Sequence, residues 1–171
     1  MRIQKNVTMK EVSPRDGLQN EHRVLATHDK VALVDMLSQS GLPYIEVGSF
    51  TSPKWIPALA DTTEVLQRIH RHPDVVYAVL IPNLRGLQRV LETDIDEVSV
   101  FISASETHNL KNVNQSVDGS LAIYREVVKE ALSCGKTVRG YVSMVFGCPY
   151  EGKVPVESMF RITDKLFALG I

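Results

Sequence analysis

Val75–Ile81, VVYAVLI, is an almost unbroken apolar run between the polar RHPD of residues 71–74 and the Pro82-Asn83 that follows. A strand with apolar side chains on both faces must be covered on both faces. That is the condition of a parallel sheet flanked by helices, not of an antiparallel sheet with one wet side. Parallel neighbours cannot be joined by a tight turn, so the chain around this run has to supply crossover helices.

It does so repeatedly. A β-type run, Val7 to Val12, comes first. Thr27 can cap a helix through Ser40, with Asp29 in its first turn and Val31, Val34 and Leu37 on one face. Gly41 ends that helix and Tyr44–Gly48 reads as the second strand. A loop with Pro53 and Pro57 leads to a helix from about Thr62 to His70, and the apolar run is strand three. Asn83 to Glu92 is a short helix and Glu97–Ile102 is strand four. Ser116 caps a longer helix whose Leu121, Tyr124, Val128, Ala131 and Leu132 share a side. Thr137–Val145 is strand five. Pro155 opens the last helix, where Met159, Ile162, Leu166 and Leu169 line up. Five βα units with no linker, charge block or low-complexity segment predict one domain over residues 1–171.

Composition narrows the function classes. A net charge of −1 gives no electrostatic case for nucleic acid or an anionic membrane. No apolar run approaches the ~18 residues of a membrane span, and the start MRIQKNVTMKEV has no apolar leader core. Two cysteines, Cys134 and Cys148, fit a reducing compartment. The expectation is a cytoplasmic protein.

The polar chemistry concentrates in VSPRDGLQNE, Val12 to Glu21, directly after the first β-type run. A strand that releases polar groups into a Gly- and Pro-containing loop is how α/β proteins build sites, and Gly17 reads as the flexible joint. Arg15 brings a planar, permanently charged fork suited to a carboxylate, a phosphate or a developing oxyanion. Asp16 is a hard oxygen ligand for a cation such as Mg²⁺ or Mn²⁺. An Arg–Asp surface pair is the alternative. Glu46, between Ile45 and Val47, needs a partner because an unpaired buried carboxylate is costly, and Arg15 is the obvious one.

These ten residues resemble the signature of the hydroxymethylglutaryl-CoA lyase family. IEVGSFTSPKWIPALADTTEVL (Ile45–Leu66), LIPNLRGL (Leu80–Leu87) and VRGYVSMVFGCPYEGKV (Val138–Val154) are similar to it in the same order and spacing. The resemblance implies a (β/α)8 TIM barrel of metal-dependent lyases, of which this chain would cover about five βα units and stop before strand six. It implies cleavage of 3-hydroxy-3-methylglutaryl-CoA to acetyl-CoA and acetoacetate. Asp16 would be a ligand of Mg²⁺ or Mn²⁺, and Arg15 and Glu46 catalytic. Arg15, Gln19, Ser49, Asn112 and Ser116 would lie on the substrate side. Ser116 can equally be a helix cap, and Lys54 and Trp55 could meet a CoA phosphate or adenine or simply pack. The other ligands and the catalytic cysteine would lie beyond Ile171, so the expected partner besides an acyl-CoA is a missing C-terminal half or a second copy. Two alternatives stay open: a non-catalytic remnant that binds thioesters or a partner barrel, and a related condensation of an acyl-CoA with an oxoacid.

In such a barrel active sites lie on the face formed by the loops after strands. His70-Arg71-His72 ends a helix and so falls on the other face, as does Cys134. Cys148 falls on the active face, with two readings, a thiol at the rim of the site or a loop-packing residue.

Overall fold

The apolar run forms the strand it suggests. The computed structural model describes residues 6–171. Its strands are β1 (Tyr44–Ser49), β2 (Val76–Leu80), β3 (Glu97–Ser103) and β4 (Thr137–Ser143). The helices are α1 (Thr27–Ser38), α2 (Thr62–Arg68), α3 (Leu84–Val90), α4 (Glu106–Val113), α5 (Val117–Ser133) and α6 (Val156–Leu169). Packing divides the described residues into two units, one of residues 6–80 with 89–96, the other of 81–88 with 97–171.

In the first unit β1 and β2 pair in parallel, Tyr44 opposite Val76 and Ser49 opposite Leu80. All six residues of β1 are buried, as are Val34 of α1 and Val65 of α2, which complete this core. The Tyr77 hydroxyl donates to Ser38 Oγ at 2.7 Å, so even the polar tip of a core ring is satisfied. His70-Arg71-His72 is structural: Arg71 bonds both oxygens of Asp96 at 2.8 and 2.9 Å, and His70 sits exposed beside Asp35.

The first βα unit differs from expectation. Val7–Val12 is not a strand; its pairing is one parallel bridge, Glu11 to Ile45. Glu11 N–H donates to Tyr44 O and Glu11 C=O accepts from Glu46 N–H. Val7 and Met9 are 82% and 64% exposed, so no packing extends the ladder backwards. Forwards, Ser13 N–H turns back onto Glu11 Oε1 at 2.6 Å, which holds that carboxyl below its usual range. The chain then enters a five-residue π-helical turn, Ser13–Gly17, not an open loop. Gly17 closes that turn without a left-handed backbone.

In the second unit β3 and β4 pair in parallel without a break, from Glu97–Thr137 to Ser103–Ser143. Tyr124 of α5 is buried and donates to Phe101 O at 2.6 Å, and burial pushes its phenol up to about 12. Ser116 caps α5 as expected, accepting from Gly119 N–H at 2.9 Å. Helix α4 was not expected: residues 106–113 carry little apolar periodicity, and what fixes them is the cap Ser105 and the buried Asn109.

β4 is half-buried along almost its whole length, whereas β3 is buried nearly throughout. Beside it α6 buries Ile162 and Leu166 but exposes a second apolar stripe, Val156, Phe160 and Phe167, at helical spacing. Phe146 is 97% exposed. Exposed apolar surface of this extent seeks cover. At micromolar concentration the 171-residue chain should therefore elute in size-exclusion chromatography with light scattering as a self-associated species. Phe160→Ser with Phe167→Ser should shift it toward monomer. A sharp monomeric peak for the unaltered chain would contradict this reading of the α6 surface.

Candidate active site

The π-helical turn sets where the signature side chains go. Arg15 and Asp16 N–H both bond back to Val12 O, at 3.1 and 2.6 Å, which forces the two residues to emerge together at the end of the β-type run. π-turns are rare and concentrate at functional sites. Pro14 is buried beneath the turn and fixes its first residues.

Arg15 meets Glu46 as the need for a partner requires. Its Nε and Nη2 donate to Glu46 Oε2 at 3.0 and 2.8 Å, and its Nη1 donates to Asp16 Oδ1 at 2.5 Å. The Arg15 side chain is 13% exposed and Glu46 is fully buried. A guanidinium has five N–H donors; three are used, and the remaining two, one on each terminal nitrogen, have no partner among the described residues. Glu46 Oε1 and Gln19 Oε1 are buried acceptors with no hydrogen-bond partner among the described residues. A buried acceptor without a protein partner calls for one from a ligand or a water, and Glu46 Oε1 lies on the carboxylate that holds Arg15.

Ser49 ends β1 but its hydroxyl is committed, donating to Thr51 Oγ1 at 2.9 Å and accepting from Thr51 N–H at 3.1 Å. Lys54 and Trp55 are exposed, and Trp55, at 79%, packs little against the described residues.

The second unit has its own polar cluster. Asn112 lies exposed near the end of α4, in a helix where a loop was expected. The organising residue is the neighbouring Asn109, which is buried and which sequence reasoning missed. Its Oδ1 accepts from Ser103 N–H at 3.0 Å, and its Nδ2 donates to Gln115 O and Ser120 Oγ at 2.9 and 2.8 Å. It thus ties the end of β3 to the start of α5. Ser105 Oγ donates to Cys148 Sγ at 3.0 Å, and Tyr150 N–H reaches the same sulfur at 3.4 Å. Burial alone would push the Cys148 thiol up, but those bonds outweigh it and leave the thiol below its ordinary value. Cys148 and Cys134 are both free thiols, the first buried and the second exposed.

The model of the HMGL-like family matches residues 6–171. The chain belongs to that family. Its fold is that of the family's TIM barrel, of which this chain covers part. It is 53% identical over 98% of its length to a Bacillus subtilis (strain 168) protein named hydroxymethylglutaryl-CoA lyase YngG, of which it covers 56%. It is 48% identical over 97% of its length to a mitochondrial hydroxymethylglutaryl-CoA lyase of Bos taurus, covering 51% of that protein. A crystal structure of a Bacillus subtilis HMG-CoA lyase superposes with a TM-score of 0.97 at 52% identity, over 100% of this chain and 57% of the other. An Acinetobacter baumannii HMG-CoA lyase solved with coenzyme A and 3-methylmalate superposes at 0.92 with 42% identity, over 96% of this chain and 53% of the other. The chain spans about half the length of these HMGL-like relatives.

The family is metal-dependent in general. Asp16 suits a hard cation: it is 54% exposed, and among the described residues its side chain is hydrogen-bonded through Oδ1 alone. Among the described residues no group of three or more His, Cys, Asp or Glu side chains could hold a metal ion with it. The described residues therefore fit part of a metal site and not a complete one.

Removing one member of a buried ion pair strands the other charge, typically at a cost of about 3–5 kcal/mol. Arg15→Met should lower unfolding free energy by that order in urea titrations, and adding Glu46→Met should restore most of it, because both charges are then gone. A loss near that of a surface pair, under about 1 kcal/mol, would show that Glu46 does not depend on Arg15.

Proposed function

We propose that this chain supplies the Arg15–Glu46–Asp16 side of a carbon–carbon lyase site that cleaves 3-hydroxy-3-methylglutaryl-CoA to acetyl-CoA and acetoacetate. The observation that carries the reading is the guanidinium held on two sides by carboxylates, Glu46 buried and Asp16 open, with two N–H donors left over. The relatives named for this activity and the structure solved with coenzyme A support the substrate class.

The chemistry uses what the geometry offers. As the C3 hydroxyl gives up its proton and the bond next to the thioester carbonyl breaks, acetoacetate departs from an enolate. The charge of that enolate gathers on the thioester oxygen until its carbon takes up a proton to give acetyl-CoA. Arg15 donates to that oxygen with its two free N–H groups, already oriented because Glu46 fixes the plane of the fork. Gln19 and Ser49 stand on the substrate side of this unit, and Asn112 and Ser116 act likewise in the other; Ser116 also keeps its cap. A divalent metal, Mg²⁺ or Mn²⁺, held in part by Asp16, would supply Lewis-acid activation of the substrate hydroxyl. Both units belong to one barrel domain, and the protein works in the cytoplasm. No helix among the described residues is long and apolar enough to cross a membrane. Relatives are named cytoplasmic in Danio rerio and mitochondrial in Bos taurus.

The partner in this reading is the remainder of a family barrel. One metal ligand cannot hold a divalent ion in fixed geometry, so the chain alone, with Mg²⁺ or Mn²⁺ and a thiol reductant, should release no measurable acetoacetate. Mixed with the separately produced C-terminal half of the Bacillus subtilis relative, it should turn substrate over. Turnover by the chain alone within about tenfold of that relative, a span of ~1.4 kcal/mol in barrier, would contradict the ligand argument. Continued silence of a folded mixture would contradict the lyase reading.

A further inference from the structure

The end of β1 is held by a residue that the chemistry above leaves out. Thr62 opens α2 and is 3% exposed. Its Oγ1 lies 2.7 Å from Leu59 O, 3.1 Å from Ser49 O and 3.3 Å from Ser49 N. A threonine hydroxyl has one proton to give. The shorter contact takes it, so Oγ1 donates to Leu59 C=O and accepts the Ser49 N–H. One oxygen thus joins the last residue of β1 to the short 3-10 turn Pro57–Leu59.

The fit is equally tight through carbon. A Cβ placed on Gly48 would fall 2.6 Å from Thr62 Oγ1 and 2.7 Å from Thr62 Cγ2, closer than side chains approach. Gly48 is where the lack of a side chain lets β1 come up against α2. Behind this contact the start of α2 is anchored. Asp61 accepts from Lys30 Nζ at 2.6 Å and from Thr27 Oγ1 at 2.8 Å, and Lys30 Nζ also reaches Ala58 O at 2.6 Å. Lys30 is 5% exposed, so the anchor is a buried cation and does not slide.

What this clamp acts on is an irregularity. The β1–β2 register shifts between Glu46 and Gly48. In a regular strand residues two apart face the same way, yet Gly48 points at Thr62 while the Glu46 carboxylate reaches Arg15. A bulge re-aims a side chain in this manner, and bulges gather beside active sites. We propose that Thr62 is a positioning residue: by pinning Ser49 and the backbone at Gly48 it holds the bulge that turns Glu46 onto Arg15. Its functional weight rests on Arg15–Glu46 being the reacting site, whereas its geometry does not.

The test reads the Arg15 Nε–H signal in ¹H–¹⁵N spectra of the full chain, assigned by its disappearance in Arg15→Lys. Thr62→Val keeps the shape and removes the hydroxyl. It should shift that signal away from its hydrogen-bonded position and speed its exchange with water by at least ~tenfold, as expected for a lost local constraint. Thr62→Ser, which keeps the hydroxyl, should leave the signal as it is. A folded Thr62→Val chain with an unchanged Arg15 signal would overturn the proposal, whatever its melting temperature. Should Thr62→Val not fold, the unaltered chain decides: across a mild denaturant series Ser49 N–H and Arg15 Nε–H should lose protection together. Arg15 Nε–H protected where Ser49 N–H exchanges freely would overturn the proposal as well. Neither readout involves turnover, so a failure of the lyase reading shows in the acetoacetate assay and leaves this result untouched.

Discussion

A carboxylate with no solvent exposure, set in an apolar strand, is the constraint on which the first unit depends. A carboxylate buried there needs a cationic partner, and its neighbours in β1 offer none. The cation has to come from another segment at a fixed distance, and the π-helical turn after Glu11 delivers it. The single bridge between Glu11 and Ile45 brings that turn alongside β1, and Glu46 N–H bonds Glu11 O one residue further on. Backbone pairing and side-chain pairing therefore enforce each other within a few residues.

In the proposed reading, the same pair prepares the site before any substrate arrives. A free arginine side chain samples many rotamers, and ordering it on binding would cost entropy. Here two N–H groups engage Glu46 and one engages Asp16, so the plane and the direction of the fork are set by the fold. A lysine ammonium could neutralise Glu46 but could not be held in one plane. The arrangement also separates two jobs. Glu46, buried, fixes orientation; Asp16, open to solvent, stays within reach of a cation.

Much of this was legible in residue order because it follows from local rules. The run at Val75–Ile81 dictates a doubly covered strand, Ser116 dictates a cap, and Glu46 among apolar residues asks for an arginine. What was not legible depended on contacts distant in sequence or on their absence. Val7 to Val12 has the residue types of a strand, but a strand is a relation between two segments, and only Glu11 finds its neighbour. Helix α4 has no strong apolar face, so periodicity passes over it, and Asn109, which holds it, looks like any polar surface residue until its partners Ser103, Gln115 and Ser120 are in place. Asn112, three residues away, has the same chemistry in the string and a solvated position in the fold. Thr62 was hidden for a similar reason: its role exists only because Gly48, fourteen residues earlier, has no side chain.

The central claim is that Arg15 acts through the orientation Glu46 gives it. A double-mutant cycle of turnover, in the chain combined with a relative's C-terminal half, tests this most directly. Arg15→Lys should lower kcat by at least ~10² with little change in KM, the size expected for losing one preorganised oxyanion donor. Glu46→Gln should cost a large part of the same factor, and the two together should cost little more than Arg15→Lys alone. Losses that multiply, as they do for sites acting independently, would contradict the account.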